Sequence, residues 1–372
     1  MRSGRTIGVA ALCALALSGP ASAALPGPPQ LAADRATFLQ AAKTGVAAAK
    51  RYWWDGKAKW YRDRLDPGWN RPKPLARLWT AFPLFETLNA IAIAEPTAAN
   101  KAAVRAFATG ARRYWNPSVS GYAYYPGTNR PVDTYFDDDG WWAIAFLDAY
   151  RATGDRAYLA DATKAFDFIV RKGWDAGGGG VWWDTQHHHK TAEPLAAAAF
   201  VGAELYRITR KPVYLTWARR LVAWADSHSW NSQRSLYQRS ATSDVVMDYV
   251  EGMMIGAELE LCRITGSKAG CAKAERLARA SLVAFPADAN WNPVSDGIYL
   301  RFMLDLYAYD RNPRWYELAY RNAKRALANA RSTNGLFLKD WSGKPYQGGL
   351  LWSHAGSLSL LAWLAAAPLP KV

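Results

Sequence analysis

Apolar positions along this chain recur at three- and four-residue intervals in twelve segments: residues 35–52, 75–94, 97–115, 140–153, 156–173, 192–209, 212–228, 246–265, 268–284, 294–309, 312–331 and 352–366. That period predicts twelve helices, while strand-like alternation is scarce and the alanine content favours helix. Pro83 falls inside the second segment and predicts a kink, because proline lacks an amide donor and crowds the preceding turn.

The segments repeat. Tyr150 opens YRATGDRAYLADATKAF, Tyr206 opens YRITRKPVYLTWARRLV and Cys262 opens CRITGSKAGCAKAERLA. Their Arg-x-Thr signatures at Arg151, Arg207 and Arg263 are 56 residues apart both times. This period suits a helical hairpin with its loops, stacked on its neighbours. Six such hairpins fit the chain, and they close most economically into an all-α (α/α)6 toroid with six inner and six outer helices. The expected organisation is a secretory signal at 1–23, a linker at 24–34 and one toroidal domain at 35–372.

Connections after the even helices are short, such as Gly154-Asp155 and Gly266-Ser267. Those before them are long and aromatic: WWDGKAKWY from Trp53, WNPSVSGYAYYPG from Trp115, WDAGGGGVWWD from Trp174, WNSQRSLY from Trp230, WNPVSDGIY from Trp291 and DWSGKPYQGGLLW from Asp340. In an up-down ring all connections of one parity share an end. One face is therefore tight and the other carries the long loops where functional residues concentrate. The chain has 19 Trp. Burial accounts for many; those clustered in loops suit stacking on sugar rings and point to carbohydrate.

Composition narrows the setting. A positive start, an apolar run from Ile7 to Leu17 and Ala21-Ser22-Ala23 read as a cleavable export signal. No other segment is apolar enough to span a membrane. The formal charge of +15 falls to +13 without Arg2 and Arg5, which suits an anionic envelope or an acidic glycan. Lys and Arg are scattered without a basic block, so nucleic acid is not an expected partner. Cys262 and Cys271 flank a helix–helix turn. A disulfide and two buried thiols both remain open, and their spacing fits no zinc pattern.

The densest chemistry lies in YFDDDGWWAIAFLDAY, residues 135–150. Asp137, Asp138 and Asp139 end a long loop and begin the fourth helix. One acid there is a helix cap; two more repel it and gain little. The spacing is not that of a calcium loop. Two neighbouring carboxyls roughly 5–5.5 Å apart do suit a retaining glycosidase, one ionised as nucleophile and one protonated as acid/base. Crowding raises one pKa, keeping that group protonated, while helix amides favour the other group's anion. His187-His188-His189 cannot all aim at one ion easily, so no metal and no cofactor are expected. The triplet suits glycan contact or simple exposure, and His228 and His354 carry no signal of their own.

With these residues in view, the chain resembles glycoside hydrolase family 76, the endo-α-1,6-mannanases. Asp137-Asp138, two residues, then Trp141-Trp142 is similar to the family's Asp-Asp pair opening an inner helix. Leu78-Trp79 resembles its Leu-Trp start to an early inner helix, and Gly179 to Asp184 its Gly-Gly-aromatic-Trp loop. Asp248 to Gly252, followed by Ile255-Gly256-Ala257, occupies the place of its Tyr-Asn-Gln-Gly motif and Ile-Gly-Ala. The resemblance implies the toroid, Asp137 as nucleophile and Asp138 as acid/base of a double displacement. It implies substrate contacts around Trp79, Tyr135, Trp182, Trp183 and Tyr249, with Asp139 as a cap or supporting residue beside them. Two departures add carboxylates: Val250-Glu251 replaces Asn-Gln, and Glu193 lies where an Asn is expected. Each can bind sugar hydroxyls, and Glu251 can equally be a paired structural acid. The implied protein is a secreted or periplasmic monomer cleaving α-mannan. A transglycosylase, a non-catalytic glycan-binding envelope protein and an enzyme for acidic polysaccharide are the alternatives.

Overall fold

The structure is a computed structural model that describes residues 25–287 and 292–371. The export signal and Trp291 lie outside the described residues. The inner ring consists of α2 (Leu78–Ala94), α4 (Phe136–Thr153), α6 (Ala192–Thr209), α8 (Asp248–Thr265), α10 (Pro293–Asp310) and α12 (Leu351–Ala366). The outer layer is α1 (Pro28–Trp53), α3 (Ala98–Ala111), α5 (Ala157–Phe168), α7 (Pro212–His228), α9 (Lys268–Ala284) and α11 (Pro313–Asn329). Successive inner helices pack on one another and α12 returns to α2, so the (α/α)6 toroid is closed.

Layer assignment follows from side-chain pattern. In α6 every residue from Ala192 to Leu205 is buried, as suits a helix with neighbours on all sides. In α11 the buried Trp315, Leu318, Ala319, Asn322, Ala323 and Ala326 form one stripe. Small residues set the ring's tightness: a β-carbon on Gly140 would come within 2.5 Å of Ala197 Cβ, and one on Gly356 within 2.5 Å of the Pro293 carbonyl.

Boundaries differ from expectation in instructive places. The stretch expected as a linker is partly helix, because α1 starts at Pro28, where the missing amide costs nothing. Its first turns are held by burial of Leu31 and by Asp34, which accepts from Tyr320 and, at 3.1 Å, from Lys324 of α11. The fifth helix leaves α geometry after Phe168 and finishes as a π turn over Ile169–Gly173. α2 runs on through Pro83, whose carbonyl accepts the Thr87 hydroxyl at 2.7 Å.

The tight face holds the repeat's signature. In each copy the Thr hydroxyl (Thr153, Thr209, Thr265) donates to the carbonyl four residues back and accepts the amide two residues on, terminating the helix. The Arg side chains pair with acids three residues before them that share the same 56-residue spacing, Asp148, Glu204 and Glu260. Arg151 lies 3.2 Å from Asp148 and 2.8 Å from Glu204; Arg207 lies 2.6 Å from Glu204 and 2.9 Å from Glu260. Arg263 pairs with Glu260 and reaches the Asp305 carbonyl. Buried Arg301 closes the circuit from α10 to the opposite helix α4, 2.7 Å from Asp148 and 3.6 Å from Glu86 of α2. Cys262 and Cys271 form a disulfide across the α8–α9 turn on this same face.

The long-loop face is stiffened by three antiparallel hairpins: β1 (Trp54–Asp55) with β2 (Trp60–Tyr61), β3 (Trp115–Asn116) with β4 (Gly121–Tyr122), and β5 (Trp230–Asn231) with β6 (Leu236–Tyr237). In each, the opening Trp meets the closing Tyr edge to face, at 5.1, 5.2 and 5.1 Å. Loop tryptophans were expected to face glycan. These three are hairpin pins instead. No helix among the described residues is long and apolar enough to cross a membrane.

Two outcomes follow. Arg301→Met leaves Glu86 buried without its cation and Asp148 with Arg151 alone, and is expected to lower unfolding free energy by about 3–5 kcal/mol, read by denaturant titration. Reduction of the Cys262–Cys271 bridge, or Cys271→Ser, reopens a short loop and is expected to cost about 2–3 kcal/mol. Because the bridge lies on the face opposite the long loops, activity per folded molecule stays unchanged.

Candidate active site

All six inner helices point their N-termini at the long-loop face, so exposed amides and the positive ends of their dipoles converge at the ring's mouth. The acidic triplet sits there, at the start of α4. Tyr135 is the extended residue before the helix, and Asp137 to Asp139 lie in its first turn. Asp139 therefore does not cap α4. It is fully buried, and its Oδ1 accepts the Tyr122 amide of β4 at 2.9 Å, clamping a hairpin to the helix. Glu251, in the first turn of α8, does the same for β6: its Oε1 accepts the Tyr237 amide at 2.7 Å. His354, in the first turn of α12, accepts the Phe337 amide at 3.1 Å. One position on three inner helices thus holds one loop each. For Glu251 this geometry favours the structural acid over a sugar contact, since no part of it is exposed.

Asp137 and Asp138 differ from their neighbour and from each other. Asp137 is partly exposed and accepts the Trp183 indole N–H and the Asp138 amide, the latter at 3.1 Å. Loss of hydration and the adjacent Glu193 carboxylate push its pKa up to about 7. Asp138 is buried; desolvation and the charge of Asp137 hold it well above the usual carboxylate range, opposed by Arg77. Both carboxyls are thus held above their ordinary range, and the more buried Asp138 has Arg77 as the one group favouring its anion.

Glu193 is buried in the first turn of α6, 3.0 Å from Arg239 Nε. The Ala192 amide donates to the Arg239 carbonyl at 2.8 Å, so the 229–247 loop holds both ends of this pair. The 174–191 loop brings in Trp183: the Phe136 amide donates to the Trp183 carbonyl and the Thr185 amide to the Thr134 carbonyl. Trp183 packs on Tyr135 at 4.9 Å and His189 at 5.0 Å. Half-buried Trp79 meets Trp141 at 5.6 Å, and Trp141 meets Tyr249 at 5.8 Å, completing an aromatic wall. Trp182 is stacked on His187 at 5.1 Å with Lys190 over its ring at 5.0 Å, and lines a cavity with His189 and Arg239.

The three histidines diverge, as their adjacency requires. His188 alone meets carboxylates, with Nδ1 2.6 Å from Asp184 Oδ2 and Asp133 close by. Asp184 is otherwise occupied by the Gln186 and His188 amides. The pair fastens the loop that carries Trp183. Sequence reasoning did not single out Arg77, Arg239 or Trp141 as site residues. Arg77 stands directly before the Leu78-Trp79 motif, a signal that could have drawn notice.

Adjacent carboxyls of unequal acidity, set in an aromatic-walled mouth of a helical toroid, define a glycan-processing enzyme. The chain matches the description "Glycosyl hydrolase family 76" over residues 38–296 and belongs to that family of glycoside hydrolases. Among solved structures it is similar to a family 76 mannosidase of Bacteroides thetaiotaomicron, Bt3792, at 18% identity and TM-score 0.80, covering 89% of this chain and 98% of that one. It is also similar to an inactive double-aspartate variant of the α-1,6-mannanase GH76A of Salegentibacter in complex with α-1,6-mannotetrose, at 17% identity and TM-score 0.75, covering 88% and 98%. A cellobiose 2-epimerase of Spirochaeta thermophila shares the toroid at 14% identity and TM-score 0.69, covering 91% and 98%. No curated protein matches the chain.

The site carries a stability signature. Both aspartates titrate above their ordinary value near 3.8, so between about pH 4 and pH 7 the native state binds more protons than the unfolded chain. The stability they leave intact below pH 4 is lost as pH rises through the folded values. Asp138→Asn is therefore expected to match wild type at pH 4 and exceed it by ~1 kcal/mol or more at pH 8, measured by chemical denaturation at both pH values.

Proposed function

We propose that the protein is an exported, retaining endo-α-1,6-mannanase in which Asp137 is the nucleophile and Asp138 the general acid/base. The observation that carries this reading is the unequal treatment of two adjacent carboxyls. One accepts hydrogen bonds from Trp183 and the helix amide that favour its anion, and the other is desolvated into its protonated form.

In the first step Asp137 attacks the anomeric carbon while the Asp138 proton passes to the departing glycosidic oxygen. This leaves a glycosyl ester on Asp137 and a free sugar hydroxyl. In the second step Asp138, now anionic, takes a proton from water, whose oxygen displaces the Asp137 carboxylate with net retention. The aromatic wall of Trp79, Tyr249, Tyr135 and Trp183, backed by the buried Trp141, offers flat surfaces for successive mannose rings, and Glu193 with Arg239 offers hydrogen bonds to their hydroxyls. The Salegentibacter protein supports the substrate class, since its inactivating substitutions fall on two consecutive aspartates and its ligand is an α-1,6-mannan fragment. The disulfide suits an oxidising compartment and hence export.

The test is digestion of linear α-1,6-mannan by wild type and the two single Asp→Asn variants, with the anomer of the first product read by NMR. The expected product is the α anomer. Asp138→Asn is expected to lose about 10²–10⁴-fold in turnover, least with a leaving group that needs no proton. Asp137→Asn is expected to lose activity with every leaving group. A folded Asp137→Asn variant of normal activity would overturn the assignment.

A further inference from the structure

The segment 62–77, RDRLDPGWNRPKPLAR, runs as a strap along the long-loop face beside the catalytic pair. It is fixed by backbone pairing of Ala76 with Tyr61 and of Asp63 with Pro74. Arg62 in this strap has a carboxylate partner, Asp55. Arg64, Arg71, Lys73 and Arg77 have none within ion-pair distance among the described residues.

Three of these cations are held in place by aromatic rings instead. Arg64 lies 3.6 Å and Arg77 5.6 Å from the centre of the same Trp69 ring, so the two guanidiniums can be no further apart than those two distances combined. The Lys73 ammonium donates to the Tyr124 hydroxyl and lies 4.9 and 5.6 Å from the Tyr124 and Tyr125 rings. Two acids share the strap. Asp63 is buried and accepts the Trp69 indole at 2.9 Å, while Asp66 is turned onto the Gly68 amide at 2.8 Å. Arg64, Lys73 and Arg77 are half-buried, and the two guanidiniums that share Trp69 repel each other. Arg64 and Arg77 on one aromatic ring and Lys73 on two others, none of them ion-paired with a carboxylate among the described residues, make a preformed anion receptor. The strap also touches the catalytic centre: Arg77 is the positive charge facing Asp138, and Tyr124 meets Tyr135 at 6.4 Å.

We propose that the Arg64–Trp69–Lys73 strap is a subsite for an anionic substituent, a phosphate or a carboxylate, carried by the mannan chain that the catalytic pair cleaves. This rests on the mannanase reading for its substrate and deepens it: the natural polymer is an anionically substituted α-mannan. A sugar bearing the anion lies over the aromatic wall with its substituent turned toward Arg64 and Lys73.

The test uses calorimetric titration of the Asp137→Asn protein with three α-1,6-mannotrioses, one neutral, one phosphorylated and one ending in a uronic acid. The expected result is at least one anionic ligand binding about tenfold tighter than the neutral one, with a preference that shrinks as salt rises. Which ligand gains distinguishes phosphate from carboxylate. Adding Arg64→Gln and Lys73→Gln should abolish this ratio; a merely structural role would weaken all three ligands alike. Equal binding of all three, or a preference that survives the double substitution, overturns the proposal. Failure of the mannanase reading is seen separately, as wild type that hydrolyses no α-1,6-mannan whatever the binding ratio.

Discussion

The ring depends on one buried charge. Arg301 crosses from α10 to Asp148 on the opposite helix and touches Glu86 of a third, and none of these side chains has water to fall back on. Removing an ion pair from water is costly, and the cost is offset only while the partners stay in register. From Asp148 the alternation runs through Arg151, Glu204, Arg207, Glu260 and Arg263 and returns by Asp305 to Arg301. The circuit sits where inner-helix C-termini converge, so its arginines also answer the negative ends of the dipoles.

The opposite end inverts that arrangement. Helix N-termini gather carboxyl groups there, and burial strips those groups of water. Asp137 and Asp138 are therefore held above the usual carboxylate pKa range, with Arg77 and the Trp183 indole as the modest counterweights. Loops are anchored by the acids that chemistry does not use. Asp139 and Glu251, two repeat periods apart, each hold a hairpin amide, so the loops bearing aromatic rings are braced against the helices that carry the reactive groups. Stability is conceded at the mouth and recovered at the base.

Much of this was legible in the chain. The 56-residue Arg-x-Thr recurrence specified a ring because a repeat that places the same charged residue at the same helix end must bring those charges to one face. The acids that complete the circuit carry the same period, yet they are ordinary helix residues, and only packing shows what they meet. The Asp137-Asp138 pair stood out because adjacent like charges at a helix start need a reason. What separates Asp137, Asp138 and Asp139 was not legible, since it depends on Trp183, Glu193, Arg77 and Tyr122, which arrive from other loops. Glu251 was ambiguous for the same cause, as a buried acid and a ligand-binding acid read alike until the Tyr237 amide is placed. Tryptophan frequency overstated the sugar-facing surface, because Trp54, Trp115 and Trp230 close hairpins.

The last outer position of the ring is filled from the wrong end of the chain. α1 packs against α12: Arg35 Nε donates to the Ala365 carbonyl at 2.7 Å, His354 bonds the Gly45 carbonyl, and Trp53 lies on the His354 ring. During synthesis α1 therefore has no seat until α12 has emerged. Five hairpins can assemble locally as they are made, while α1 waits with Leu31, Phe38 and Trp53 uncovered. Closure is the slow, long-range step expected of such topology, and a nascent chain interrupted before α12 would be an open arc with two unsatisfied edges.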